Sequence, residues 1–131
     1  MARILLAEDD PSMLNFLKVA LKRAGHSVVA HTNGQEAFNS LDQNIPENRK
    51  NKAPFDLLLT DIVMPGIDGL ELAHKTTEKY PDIKVMFITG FAAMALESPN
   101  TAQKPRPQIL SKPFHLNDLI GKLDTLLSQA Q

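Results

Sequence analysis

Along the chain, short and nearly continuous apolar runs alternate with stripes in which apolar residues return every three or four positions. That is the pattern of strands buried on both faces, each followed by an amphipathic helix. The first run is Arg3-Ile4-Leu5-Leu6-Ala7. It breaks at Glu8-Asp9-Asp10, where Asp10 can cap a helix that opens with Pro11 and carries Leu14, Leu17, Leu21 and Ala24 as far as Gly25. Val28-Val29-Ala30 makes a second strand, and Asn33 with Glu36 three residues on starts a helix bearing Ala37, Phe38 and Leu41. The third run, Phe55 to Thr60, closes at Asp61. Pro65-Gly66 then marks a turn before a helix capped by Asp68, carrying Leu70, Ala73, Thr77 and Tyr80 and ended by Pro81. Lys84 to Ile88 is a fourth strand running into Thr89-Gly90, Ile109-Leu110 a brief fifth, and Leu116, Ile120, Leu123 and Leu127 follow helical spacing.

Two segments interrupt this rhythm. Asp42 to Pro54 is polar, holds two prolines and the basic cluster Arg49-Lys50-Asn51-Lys52, and reads as a solvated loop without a function. After Thr89, residues 91–96 allow only a short helix, and Pro99, Pro105 and Pro107 make Glu97 to Pro107 irregular. Five βα units then account for residues 1–131. The fold class expected is α/β, a five-stranded parallel sheet with helices on its faces, in one domain and with no output domain.

Composition narrows the chemistry. The chain has 131 residues, 43% hydrophobic and 22% charged, an ordinary globular balance. The absence of cysteine removes disulfide scaffolds, thiolate metal sites and cysteine nucleophiles. Fourteen Lys and Arg against 15 Asp and Glu give no field for a phosphate backbone, so nucleic acid is not expected as a direct partner. No apolar leader or 20-residue apolar run is present, and the cytoplasm is the expected compartment, with no membrane association. His26, His31, His74 and His115 show no ligand spacing, and packing or surface roles are expected for them.

In an open parallel sheet, ligands bind beyond the carboxyl ends of the strands. The unusual polar residues all fall there: Glu8-Asp9-Asp10 after strand one, Asp61 after three, Thr89 after four, Ser111-Lys112 after five. Like charges about 4 Å apart repel by roughly 4 kcal/mol at an effective dielectric near 20, so such a cluster calls for a cation. An all-oxygen donor set, with Asp10 a further candidate ligand beside Glu8, Asp9 and Asp61, selects Mg²⁺ or a similar hard ion and leaves room for a phosphate oxygen. The chemistry this fits is phosphoryl transfer, with Asp61 as nucleophile and Lys112 and Thr89 meeting the phosphoryl oxygens. Each residue alone also has a local explanation: the acids as a favourable helix start, Thr89 as a cap, Lys112 as a surface lysine. Four strand ends supplying the parts of one mechanism favour the joint reading.

These residues resemble those of the receiver domain of two-component response regulators. The motifs that carry the likeness are the acids Glu8-Asp9 with Asp10, the stretch Leu59-Thr60-Asp61-Ile62-Val63-Met64-Pro65-Gly66-Ile67-Asp68-Gly69, Ile88-Thr89-Gly90, and Ser111-Lys112-Pro113-Phe114. The resemblance implies a doubly wound, flavodoxin-like sheet in strand order 2-1-3-4-5. It implies phosphorylation of Asp61, Mg²⁺ on Asp9, Asp61 and the main-chain carbonyl of Val63, Glu8 acting through water, and Lys112 on the phosphoryl group. It also implies a cis Lys112–Pro113 bond, and a histidine kinase or histidine phosphotransferase as phosphodonor. Two features depart from the family pattern: Ile109 stands where an aromatic often precedes the lysine by three residues, and the proline-laden 97–107 segment replaces a regular helix. Output is therefore expected to run through a population shift of that segment.

Within the family, the wording around Glu8, Thr89 and Lys112 is similar to that of stand-alone regulators of alphaproteobacteria. These act as phosphorylation-controlled adaptors for the ClpXP protease and its cell-cycle substrates. Phe91, Met94 and Leu96 are either a partner patch or partial core. Two other readings remain: a relay passing phosphate between histidines, and an Asp-nucleophile phosphatase. The phosphatase would need a second acid two positions after the nucleophile, where Val63 stands.

Overall fold

The computed structural model describes residues 2–43, 45–90 and 108–128. Five strands, β1 (Arg3–Ala7), β2 (Ser27–His31), β3 (Leu57–Asp61), β4 (Lys84–Thr89) and β5 (Gln108–Ser111), pair in the order β2-β1-β3-β4-β5. All four pairings are parallel, with Leu5 seated between Val29 and Leu58 and Asp61 opposite Ile88. The described helices are α1 (Pro11–Arg23), α2 (Gly34–Asn39), α3 (Gly69–Lys79) and α4 (Leu116–Leu127). No helix among the described residues is long and apolar enough to cross a membrane.

The near-continuous apolar runs are explained by what lies on each face. Successive strand residues point to opposite sides. Ile4 and Leu6 enter a core closed by Leu17 and Leu21 of α1 and Leu119 and Leu123 of α4. Leu5 and Ala7 enter a second core closed by Ala37 of α2 and Leu72 of α3. The sheet is thus covered on both faces by the described helices, and polar residues gather at its carboxyl-terminal edge.

Helix starts follow the expected chemistry. The Asp10 carboxylate accepts from Ser12 N, the Asn33 side chain from Glu36 N, and the Asp68 carboxylate from Glu71 N. Removing such a cap costs about 1 kcal/mol. Asn33→Ala is therefore expected to lower the unfolding free energy by about that amount, read from the urea midpoint with an unchanged slope.

Several expectations need correction. The strands after the first are shifted or longer by a residue or two; β3 starts at Leu57, and Asp61 is its last residue. Helix α2 ends at Asn39, and a tight turn over Ser40–Asp42 follows, with the Ser40 hydroxyl donating to Ala37 O. Nor is Asp42 to Pro54 merely solvated. It contains a turn at Glu47–Arg49, and Arg49 places both guanidinium arms on Asp56 at 3.0 and 2.7 Å. Burial works against the Asp56 charge, but the Arg49 bonds and the Arg3 amide outweigh it and hold the carboxyl below its ordinary range. The Asp42 carboxylate meets Lys79 and the Tyr80 hydroxyl, tying the loop's other end to α3. The short helix and irregular segment expected over 91–107, with Phe91, Met94 and Leu96, lie outside the described residues.

Candidate functional site

The carboxyl-terminal edge brings four of the predicted residues together. Glu8 follows β1 directly, its amide donating to His31 O at 3.1 Å, and its side chain is fully buried. Its Oε2 accepts from Asp10 N at 3.0 Å. Asp61, at the end of β3, is 7% exposed, and the Thr60 hydroxyl beside it donates to the Asp61 carbonyl. Glu8, Asp9 and Asp61 each place a carboxylate oxygen within 4.8 Å of the others. Lys112, just past β5, closes the cluster with Nζ 3.0 Å from Asp61 Oδ2 and 3.4 Å from Glu8 Oε1.

The sheet register explains this convergence. Asp61 stands opposite Ile88 and Thr89 opposite Ser111, so the ends of β3, β4 and β5 line up, and the Lys112 amide donates to Thr89 O at 2.8 Å. Thr89 is buried at the end of β4, and the Lys112–Pro113 peptide is cis. Val63 is exposed two residues past Asp61, in the loop running to the α3 cap. Ile109 lies within β5 opposite Phe87.

Asp10 does not join the carboxylate cluster. Its side chain caps α1 and its amide serves Glu8, so as a candidate metal ligand it is set aside in favour of the cap. Gly69 stands in the sequence only as one residue of the motif after Asp61. A Cβ there would fall 2.1 Å from Asp61 O, so α3 starts in contact with the backbone of β3. The adjacent cap Asp68 was the only available signal.

Electrostatics set the character of the site. Three carboxylates with oxygens within 4.8 Å of one another, if all ionised, repel pairwise by at least about 3 kcal/mol at an effective dielectric of 20. Burial, and then the charge of Asp61, push Glu8 up to about 7 against the pull of the Asp10 amide and Lys112. Burial works against the Lys112 charge, but Asp61 and Glu8 outweigh it and raise the ammonium above its ordinary range. With all three acids ionised, one lysine leaves two negative charges, which a divalent cation matches. The donors are all hard oxygens, the set Mg²⁺ prefers, and the exposure of Asp9 leaves a solvated side on which an ion could keep waters.

Comparison with known proteins agrees with this arrangement. The family model described as response regulator receiver domain matches residues 4–124. The chain is 49% identical to the response regulator receiver protein CpdR of Brucella abortus (strain 2308), over 99% of this chain and 100% of that protein. Against the transcriptional regulatory protein TrcR of Mycobacterium tuberculosis identity is 29%, and this chain spans 46% of that longer protein. Among solved structures, the response regulator TrrA of Thermotoga maritima, in complex with Mg²⁺ and BeF, superposes with a TM-score of 0.76. Identity there is 28%, over 96% of this chain and 99% of that one. The acidic edge, the doubly wound sheet and the full-length match agree: the chain belongs to the response regulator receiver domain family, the signalling module of two-component systems.

Proposed function

We propose that this receiver takes a phosphoryl group on Asp61 in a Mg²⁺-dependent reaction and signals as a stand-alone domain through protein contacts that depend on that modification. The observation that carries the reading is the meeting of Glu8, Asp9 and Asp61 within 4.8 Å beside Lys112, whose Nζ lies 3.0 Å from Asp61 Oδ2. In the reaction an oxygen of the Asp61 carboxylate attacks the phosphorus of a phosphohistidine on a histidine kinase or histidine phosphotransferase. The P–N bond breaks, the leaving imidazole takes up a proton, and an acyl phosphate forms on Asp61. Lys112 and the Thr89 hydroxyl then hold phosphoryl oxygens, Lys112 exchanging part of its contact with Asp61 for the new charge. Asp9, Asp61 and the main-chain oxygen of Val63, with Glu8 acting through water, would hold Mg²⁺, and the ion when bound would supply positive charge against that gathering on the transferred group. The only chemistry assigned to the domain itself is its own phosphorylation and dephosphorylation.

Acetyl phosphate tests this without a partner. In Mg²⁺ the wild type is expected to incorporate one phosphoryl group per chain, seen by intact mass, and Asp61→Asn to incorporate none. Incorporation by the variant at the wild-type rate would remove Asp61 as acceptor.

The full-length likeness to CpdR supports a finer reading, a cytoplasmic adaptor for uptake of cell-cycle regulators by the ClpXP protease. An adaptor binds its partner in one phosphorylation state only, whereas a relay returns its phosphate quickly to a phosphotransferase histidine. Binding of purified ClpXP to both forms separates the two, and equal binding would count against the adaptor.

A further inference from the structure

Gly34 is the first residue of α2 and is buried, and a Cβ placed on it would lie 2.7 Å from Ile67 Cγ1 and 3.0 Å from Ile67 O. Ile67 belongs to the loop 62–68, which leaves Asp61 and ends at the cap of α3. That loop is pinned at its ends, where Ile62 N donates to Ile88 O at 3.1 Å and Gly69 N to Ile62 O at 2.7 Å. Near its far end it leans on α2. The support is firm, because α2 is capped by Asn33 and follows β2, whose last carbonyl, on His31, accepts from Glu8 N.

We propose that Gly34 is a positioning residue for the phosphoacceptor loop. Its lack of a side chain lets α2 buttress Ile67 where an added methyl would crowd Cγ1 and press on the carbonyl oxygen, and so fixes where the loop presents the main-chain oxygen of Val63 to a divalent cation. The inference rests on the Mg²⁺-dependent reading of Asp61. The three atoms nearest a Cβ on Gly34 all belong to Ile67, so Gly34 acts through Ile67. A methyl at this position would push the loop outward while leaving Glu8, Asp9 and Asp61 in place, so the expected defect is in metal binding rather than in the acceptor.

The test compares Gly34→Ala with Gly121→Ala, a control in α4 where an added Cβ meets nothing within 4 Å. In Mg²⁺-free buffer the amide resonances of residues 62–68 should move in Gly34→Ala and stay in place in Gly121→Ala. The Mg²⁺ concentration at half-saturation, read from the same resonances, should rise about tenfold in Gly34→Ala only. At saturating Mg²⁺ its acetyl phosphate labelling rate should return to within about twofold of wild type, since the loss is in binding. Gly34→Ala/Ile67→Ala should recover the affinity, because the added methyl fills the space that Cγ1 vacates, and this variant also serves if the single one folds poorly. Unmoved loop resonances with wild-type half-saturation in Gly34→Ala would overturn the proposal, as would a defect that the double variant leaves unrelieved. Failure of the wild type itself to bind Mg²⁺ would instead remove the reading of Asp61, while the metal-free resonances would still judge the buttress.

Discussion

Glu8→Gln is expected to stabilise the metal-free protein by about 3 kcal/mol at pH 8 and to leave it unchanged near pH 4.5. The carboxyl of Glu8 ionises near 7 in the folded chain against an ordinary value of 4.5, with burial the largest cause and the Asp61 charge adding to it. Below 4.5 it is neutral in both folded and unfolded chains and contributes no difference. Between 4.5 and 7 the folded state still holds its proton while the unfolded state has released it, so stability falls as pH rises. Above 7 the loss is complete. A glutamine keeps an acceptor for the Asp10 amide and never ionises, which flattens the profile. Chemical denaturation of both proteins at pH 5 and pH 8 measures the difference, and equal stability at pH 8 would refute it. Millimolar Mg²⁺ should restore to the wild type much of what high pH removes, since a cation favours the ionised cluster, and should help Glu8→Gln less.

What sequence revealed of this site follows from where its forces are local. The strands were legible because a strand buried on both faces must be apolar at every position, as Ile4 to Ala7 and Leu57 to Leu59 are. Polar residues interrupting those runs at Glu8, Asp61 and Thr89 then had to lie at the sheet edge. The parallel register did the rest by aligning the strand ends. Asp10 was ambiguous because capping and metal binding ask for the same residue type, and only the hydrogen bond from Ser12 N decides between them. Arg49 looked like one charge in a solvated run, since its partner Asp56 lies across a turn whose path the sequence does not specify. Gly34 and Gly69 were the least legible. Their importance lies in a close approach, of Gly69 to the backbone of Asp61 and Ile62 and of Gly34 to Ile67, which leaves no periodicity or charge behind.

Gly69→Ala carries that last point to its largest effect. At the first turn of a helix, replacing glycine with alanine ordinarily gains up to about 1 kcal/mol from propensity. Here the new methyl would lie 2.1 Å from Asp61 O, 2.9 Å from Asp61 C and 2.8 Å from Ile62 Cα. All three are backbone atoms, so no side chain can swing aside. Relief requires moving the end of β3, which is held by its register with Ile88 and by the bond from Ile62 N to Ile88 O, or moving α3 away and losing the 2.7 Å bond from Gly69 N to Ile62 O. Overpacking of a well-filled site costs up to about 3 kcal/mol, and a clash with fixed backbone belongs at the top of that range. The substitution is therefore expected to destabilise the fold by about 3 kcal/mol, opposite in sign to Gly121→Ala, which should gain close to 1 kcal/mol in α4. Because the displaced atoms belong to the proposed acceptor residue, Gly69→Ala should also lose acetyl phosphate labelling at every Mg²⁺ concentration, unlike Gly34→Ala, which excess metal should rescue. A Gly69→Ala protein as stable as the wild type, labelling at the wild-type rate, would mean that α3 does not rest on the backbone of Asp61.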